Sequence, residues 1–416
     1  MDVTRFIPDK PAWLQEYKPS FLADDAIAGL VLSVLLIPQA MAYALLAGLP
    51  PQAGLYAALA PPLLYLLFGT SPYVSVGPVA LVSLIVGDAI AASGFAPMTA
   101  AMVIALEAGA MLVLVGLFRL GRLVNFVSEP VMLGFTAAAA VLIAASQLPT
   151  LLGLDVPRSS ELIGTLVGLI EALPDLHADV VLIGLGALLL LLLGDRYAGP
   201  MLWKAGVRPP WRGLIVKAIP LLVLVGAAAM VGGSDLPVPR VGAVEGGLAS
   251  LRMPPYGLDP WIALAPSALI AALIVFVIGS GVAKSLAGRN RRKVRSDREA
   301  LALGMANIAA ALTGGYAVGV SLSRSALTAD SGSRSPISSV VASLVTLAVL
   351  LFLTGALAFL PKAALAALVI SAVFGLVKLR AIKAVMRYSK VESAVLFATL
   401  AVTLLLGVQW GLAAGT

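Results

Sequence analysis

The sequence predicts an all-α integral membrane protein, and three observations carry that prediction. Of its 416 residues, 60% are hydrophobic and 12% are charged, whereas a soluble globular chain carries roughly 25% charged residues. The apolar residues form long blocks almost free of charge, at Ala26–Ala47, Val180–Leu193, Leu214–Val231, Ile262–Ala283, Val340–Leu360 and Ala394–Val408. Such blocks meet or approach the roughly 20 apolar residues that a membrane span needs. Third, the alternation over segments of about 10 residues that marks a membrane β-barrel is missing.

Taken in order, spans are expected near Ala26–Ala47, Ala53–Phe68, Met98–Phe118, Leu123–Gln147, Val180–Leu193 and Leu214–Val231. Further spans follow near Ile262–Ala287, Ala300–Leu312, Ile337–Leu360, Ala363–Val377 and Val391–Val408. Ser160–Leu173 is more polar and reads as an interfacial helix. Lys378–Lys390 carries five basic residues, and its pattern leaves open whether it crosses or lies flat.

The net charge is +7, and its distribution decides what that means. The densest run, Lys284, Arg289, Arg291, Arg292, Lys293, Arg295 and Arg298, directly follows a span. The positive-inside rule explains it as a cytoplasmic loop, so no nucleic-acid partner is expected. Arg119 and Arg122, then Arg196, Lys204, Arg208 and Arg212, mark other cytoplasmic loops. Gly233–Pro260, with Asp235, Glu245 and Asp259, reads as external. Met1–Asp24 is polar and has no apolar core, so it is a cytoplasmic arm rather than a signal peptide. Cysteine is absent, which excludes disulfides and thiolate metal sites. The single histidine, His177, falls in a loop-like stretch and reads as solvated, so no metal is expected.

Two segments break the apolar pattern. Thr70–Ala92 contains Pro72 and Gly77-Pro78, and Gly314–Pro336 contains three early glycines, a run of serines, Arg324 and Asp330. Unpaired backbone survives at membrane depth only where protein buries it or where it lines a cavity. Each break follows two spans, so the halves start near residues 24 and 260. That spacing suggests an inverted repeat with a site at the interruptions. Pro78 fits the first turn of a helix, and Ser321 or Ser323 fits an N-cap. Two short helices starting near the midplane aim free N–H groups and positive dipole ends at one spot. Arg324 adds a full charge, and intramembrane charges are expensive and functional by default. The competing role for Arg324 is to cap a loop or to neutralise Asp330 or Glu107.

Gln39 and Tyr43 lie one turn apart after Pro38 and offer hydrogen bonds to a ligand, or ordinary packing. Glu107 sits in the middle of an apolar span as a candidate for ion coupling, or as half of a structural pair. Glu129, before Pro130, fits a helix start, where an acid is stabilised by the dipole. Gly279-Ser280-Gly281-Val282-Ala283-Lys284-Ser285 faintly resembles a phosphate-binding loop, but Ala283 stands where glycine must precede the lysine. No acid, base and nucleophile converge, so neither an enzyme nor a cofactor is expected.

Several motifs occur in a fixed order. Pro38-Gln39-Ala40-Met41-Ala42-Tyr43-Ala44 is followed by Leu46–Pro51 and Gly54–Ala57, then by Phe68–Ser71 and Val76–Ala80. Ser128–Val131, Gly134–Thr136, Ser146–Leu148 and Ser321–Ala326 complete the set. From about Phe21 to Leu360 the chain resembles the SulP sulfate-permease family of anion transporters (solute carrier family 26-like), as a bacterial member. The resemblance implies a 7+7 transmembrane inverted repeat with core and gate domains, whose third and tenth helices are broken. It places a substrate site at Gln39, Tyr43, the backbone of Pro78, Val79 and Ala80, and Ser321, Leu322, Ser323 and Arg324. It divides the chain into an arm (1–23), core segments (24–120 and 260–360) and gate segments (121–235 and 361–416). The family's C-terminal STAS domain, which supports homodimers, is expected to be absent. Many members carry a glutamate in the eighth span, where Ile278 stands here, which leaves the coupling ion open; Glu107 is the coupling candidate read from its place in the span.

These readings lead to a secondary active transporter in the bacterial cytoplasmic (inner) membrane. It is expected to move a small anion, such as fumarate, sulfate or bicarbonate, by an elevator-like cycle coupled to H+ or Na+. Its partners would be the anion, the coupling ion, the lipid bilayer and a second copy in a homodimer. The alternatives are a passive anion channel and a uracil- or xanthine-type permease of the same fold; Ile278 and Arg324 argue against the latter.

Overall fold

The computed structural model describes residues 12–15, 17–122, 128–157, 159, 161–208, 211–233, 236–247, 251–289 and 294–415. Residues 1–11 of the expected arm, Asp235, Arg291, Arg292 and Lys293 of the charge argument, and the Leu123–Val127 start of the fourth expected span lie outside the described residues.

The first part of the chain forms α1 (Ala12–Gln15), α2 (Phe21–Leu46), α3 (Pro51–Tyr56), α4 (Ala60–Phe68), β1 (Val76–Gly77), α5 (Ala80–Ser93) and α6 (Pro97–Leu117). Next come α7 (Glu129–Leu152), α8 (Leu162–Ala172), α9 (Ala178–Lys204) and α10 (Trp211–Gly232). The second half holds α11 (Asp259–Arg289), α12 (Ser296–Leu312), β2 (Gly319–Val320), α13 (Leu322–Asp330) and α14 (Ile337–Phe352). It ends with α15 (Thr354–Leu357), α16 (Lys362–Phe374), α17 (Leu379–Tyr388), α18 (Lys390–Leu406) and α19 (Val408–Gly415). Among the described residues, seven helical stretches are long and apolar enough to cross a membrane.

The fold is a 7+7 inverted repeat. The first set is α2, the α3–α4 pair, β1–α5, α6, α7, α9 and α10; the second is α11, α12, β2–α13, α14, α16, α17 and α18. The third and tenth members are each a short strand followed by a half-helix. Their strands pair antiparallel, Val76 opposite Val320 and Gly77 opposite Gly319. The ribbon lets two otherwise unpaired stretches of backbone satisfy each other away from water.

Two compact units emerge, one built from Met1–Phe126 and Glu245–Leu353, the other from Val127–Val244 and Thr354–Thr416. In the first, α6 and α12 meet backbone to backbone. A Cβ added to Gly304 would lie 2.7 Å from the Gly109 carbonyl oxygen, and one added to Gly109 would lie 2.9 Å from that of Gly304. Helices in lipid associate through such close approach, because apolar burial gives them little driving force. In the second unit, α7 packs against α18, where a Cβ on Gly134 would meet the Leu396 carbonyl oxygen at 2.3 Å. Helix α10 buries only Leu224, Ala227 and Val231 and turns the rest of its apolar surface outward, as a lipid-facing helix does.

Several expectations need correction. The span expected at Ala53–Phe68 is two helices, because Pro61 and Pro62 cannot donate backbone hydrogen bonds to the preceding turn. The span expected at Ile337–Leu360 stops at Phe352. The one expected at Val180–Leu193 runs on to Lys204, past Asp195 and Arg196. Proline 78 is not in the first turn: Val79 is the N-cap and α5 begins at Ala80. Lys378–Lys390 contains the ten-residue α17, which buries no residue. Ten helical residues extend about 15 Å, half the roughly 30 Å hydrocarbon thickness, so α17 does not cross by itself.

Candidate functional site

The site is built around the ribbon, within the first unit. The chain leaves β1 through Pro78 and Val79 into α5, and leaves β2 through Ser321 into α13. Because the strands run antiparallel, the two half-helices lead away in opposite directions and their N-termini flank the ribbon. Each presents amides with no partner within the helix. Ser321 is the N-cap of α13, and its hydroxyl accepts from the Arg324 N–H at 3.3 Å. Val79 caps α5 in an extended conformation with no side-chain hydrogen bond.

Arg324 is 0% exposed and is the largest fully buried side chain among the described residues. Its Nε donates to Ser75 Oγ at 3.3 Å, its Nη1 to Gln39 Oε1 at 3.2 Å and its Nη2 to the Pro78 carbonyl at 2.9 Å. All three acceptors are neutral. They take up three of the guanidinium's five N–H groups without cancelling its charge. A buried cation held this way leaves a positive potential at the ribbon, and low local polarisability makes that potential strong. Tyr43 and Tyr316 are its electrostatic neighbours.

The expected residues therefore come together, with a division of labour. Gln39 and Pro78 touch Arg324 directly. Tyr43 is buried beside it. Ala80 is the first residue of α5, behind the partly exposed Val79. Leu322 and Ser323 are exposed at the start of α13, while Ser321 is half-buried. The accessible surface of the site is thus Val79 and the start of α13 at Ser321–Ser323, and the arginine is buried behind it. Glu107, on α6, is not among the hydrogen-bond acceptors of Arg324; its Oε2 is buried without a partner. Glu129 opens α7 with Pro130 behind it, as an acid at a helix start.

Sequence reasoning missed the frame that holds these pieces. Ser75 accepts from Arg324, its carbonyl accepts from the Ser321 N–H at 3.2 Å, and its N–H donates to Ser325 Oγ at 2.9 Å. Asn307 on α12 clamps Val318, accepting from its N–H at 2.9 Å and donating to its carbonyl at 3.1 Å. Tyr316 and Ser83 share a hydroxyl–hydroxyl bond of 2.8 Å. Two fully buried acids fix the outer ends. Glu299 accepts from the Tyr65 hydroxyl at 2.7 Å, from the Thr70 N–H at 2.9 Å and from the Thr70 hydroxyl. Asp25 accepts from the Arg334 N–H at 2.7 Å, from the Ser335 N–H at 3.0 Å and from the hydroxyls of Ser333 and Ser335 at 3.1 and 2.6 Å.

A two-fold inverted bundle with paired half-helices and a buried arginine defines a membrane protein of the inverted-repeat class. The sulfate permease family model matches residues 22–399, and the chain belongs to that family. Among its relatives are a probable sulfate transporter of Mycobacterium tuberculosis (34% identity, covering 96% of this chain and 70% of that one) and the chloroplastic sulfate transporter 4.1 of Arabidopsis thaliana (32% identity, 97% and 58%). The chain thus spans little more than half the length of the plant relative. Two solved structures share the fold. The murine solute carrier 26 family member A9 anion transporter, in its inward-facing state, superposes with a TM-score of 0.89 (24% identity, 99% of this chain and 70% of that one). The transmembrane domain of a cyanobacterium bicarbonate transporter gives 0.81 (20% identity, 96% and 98%).

Proposed function

We propose that the chain is a secondary active transporter of small oxyanions, which bind at the N-termini of α5 and α13 in front of Arg324. The observation that carries this reading is the buried guanidinium with three neutral acceptors. It attracts an anion, while the free amides of Ala80, Leu81, Leu322 and Ser323 make the contacts. Sulfate, named for a relative of this chain, and bicarbonate, named for a protein of the same fold, are the first substrates to test, with the dicarboxylate fumarate next. In this reading the first compact unit is the core, moving elevator-like against a gate formed by the second. Glu107 is the coupling candidate, because it is an acid in the middle of a span with a carboxylate oxygen buried without a partner, and intramembrane acids mark ion pathways. A homodimer in the bacterial inner membrane completes the proposal.

The test is reconstitution in liposomes with labelled sulfate, bicarbonate, fumarate and uracil, with and without proton and sodium gradients. Saturable, gradient-driven anion uptake is expected. Uracil uptake without anion uptake would sink the reading, and unsaturating flux indifferent to any gradient would make the chain a channel. Glu107→Gln is expected to abolish stimulation by a proton gradient while leaving counterflow exchange intact; unchanged stimulation removes Glu107 from coupling.

A further inference from the structure

A second basic site lies away from the ribbon, at the basic ends of the helices. A cavity of about 450 Å³ is lined by Arg119, Gly121, Arg122, Lys284, Ser296 and Asp297. Three cations face one carboxylate, so the lining keeps a positive balance; Asp297 Oδ1 accepts from the Gly121 N–H at 2.8 Å, which holds the carboxylate against the turn. Helix α12 starts at Ser296 with no side-chain cap, so its first amides point out at the same end. The cationic side chains are exposed and free to converge on a ligand.

An arginine, and not a glycine, occupies the left-handed position of the turn beside this cavity. Helix α6 ends in a left-handed turn at Arg119, with φ of 58°, the one non-glycine residue of positive φ among the described residues. Glycine normally fills this position after a helix. At Gly121 the turn rests against α12 so closely that a Cβ would lie 2.4 Å from Asp297 Oδ1. The turn is therefore held in place, and arginine sits where glycine would relieve strain. The positive-inside rule accounts for cations on this side, yet it is indifferent to which residue occupies a left-handed position.

We propose that this cavity binds a phosphate-bearing anion at the cytoplasmic membrane surface, held by Arg119, Arg122 and Lys284 and by the start of α12. Arginine pairs match the tetrahedral oxygens of phosphate, and lysine adds a point charge. Basic pockets at the ends of membrane helices suit lipid headgroups, and the same chemistry accepts inorganic phosphate.

The test is thermal unfolding of the purified full chain in detergent. One series adds inorganic phosphate against chloride at matched ionic strength; the other adds dioctanoyl phosphatidic acid against dioctanoyl phosphatidylcholine. A bound ligand raises the melting temperature in proportion to its saturation. Stabilisation by phosphate assigns a soluble anion, and stabilisation by phosphatidic acid alone assigns a headgroup; either supports the proposal if the pocket variants lose it. Arg122→Gln and Lys284→Gln should each weaken the apparent affinity about tenfold, the value of one charge-assisted contact. Arg119→Gly should weaken it as much while leaving the unliganded melting temperature equal or higher, so misfolding cannot imitate the result. Full stabilisation in all three variants, or none in the wild type with any ligand, overturns the proposal.

Discussion

Half-helix α5 leaves its strand through the apolar run Val76-Gly77-Pro78-Val79, and its cap residue offers no side chain to the amides. Half-helix α13 leaves through Ser321, whose hydroxyl occupies one amide, and places Arg324 in its first turn. The backbones are related by inversion, while the side chains are not. One half supplies bare donors alone, and the other supplies donors and the charge. The comparison shows how a duplicated scaffold makes an asymmetric site: the repeat gives two helix dipoles converging on the ribbon, and a single arginine fixes the sign and depth of the potential.

The largest test of that asymmetry removes the charge. Arg324→Ala should lower anion uptake on the order of 100-fold, since a charged hydrogen-bonding group contributes up to about 3 kcal/mol and each 1.4 kcal/mol is tenfold. It also strands the acceptors on Gln39, Ser75 and Pro78. Arg324→Lys keeps the charge but loses the planar fork that reaches three acceptors, so its uptake should fall between the two. Uptake of Arg324→Lys equal to that of Arg324→Ala would show that the fork's geometry matters more than the potential.

Next come the acids that anchor the outer ends. Glu299 holds the approach to the first broken segment through Thr70, and Asp25 holds the exit from the second through Ser333–Ser335. Asp25→Asn and Glu299→Gln should each destabilise the protein by about 2 kcal/mol or more, because each weakens several charge-assisted bonds in a buried setting. Thermal melts in detergent check this. The double variant should be additive, since the two acids share no partner. Strong coupling would mean that the two broken segments behave as one cooperative unit.

A subtler pair probes the amides themselves. Ala80→Pro and Leu322→Pro delete one N–H at the first position of each half-helix, where proline is tolerated. Val79 and Ser321 are already extended, as a residue before proline must be. Each variant should keep its melting temperature and weaken anion affinity about tenfold. A loss confined to one of them would place the anion on a single helix.

Much of this was legible in the sequence. The apolar blocks marked the spans, and the Gly-Pro and Gly-Ser clusters marked both interruptions. The motifs named Arg324 together with Gln39 and Pro78, both of which accept hydrogen bonds from it. What stayed hidden depends on contacts far apart in the chain. Ser75 and Asn307 are ordinary polar residues until the ribbon forms beside them. Glu299 closes a basic, loop-like run, Arg295-Ser296-Asp297-Arg298-Glu299, where an acid reads as solvated. Its burial depends on Tyr65 and Thr70, more than 200 residues earlier. Helix ends were misjudged at Pro61-Pro62 and Phe352 because hydropathy continues across a break that backbone hydrogen bonding does not.

The smallest expected effect exchanges the caps. Ser321→Ala makes the start of α13 resemble that of α5. It should cost about 1 kcal/mol of stability, the usual worth of a serine N-cap. It also frees the Arg324 N–H, so anion affinity should hold or rise slightly while the melting temperature falls. Val79→Ser makes the opposite exchange: it introduces an oxygen at an extended cap position and gives α5 the capping bond it lacks. Stability should rise by up to about 1 kcal/mol, and affinity should fall, because the new hydroxyl competes with the anion for an amide. Opposite movements of stability and affinity in these two variants would show that the amides serve the ligand at the expense of the fold. Parallel movements would mean that the caps serve only the helices and that the anion is held elsewhere on the ribbon.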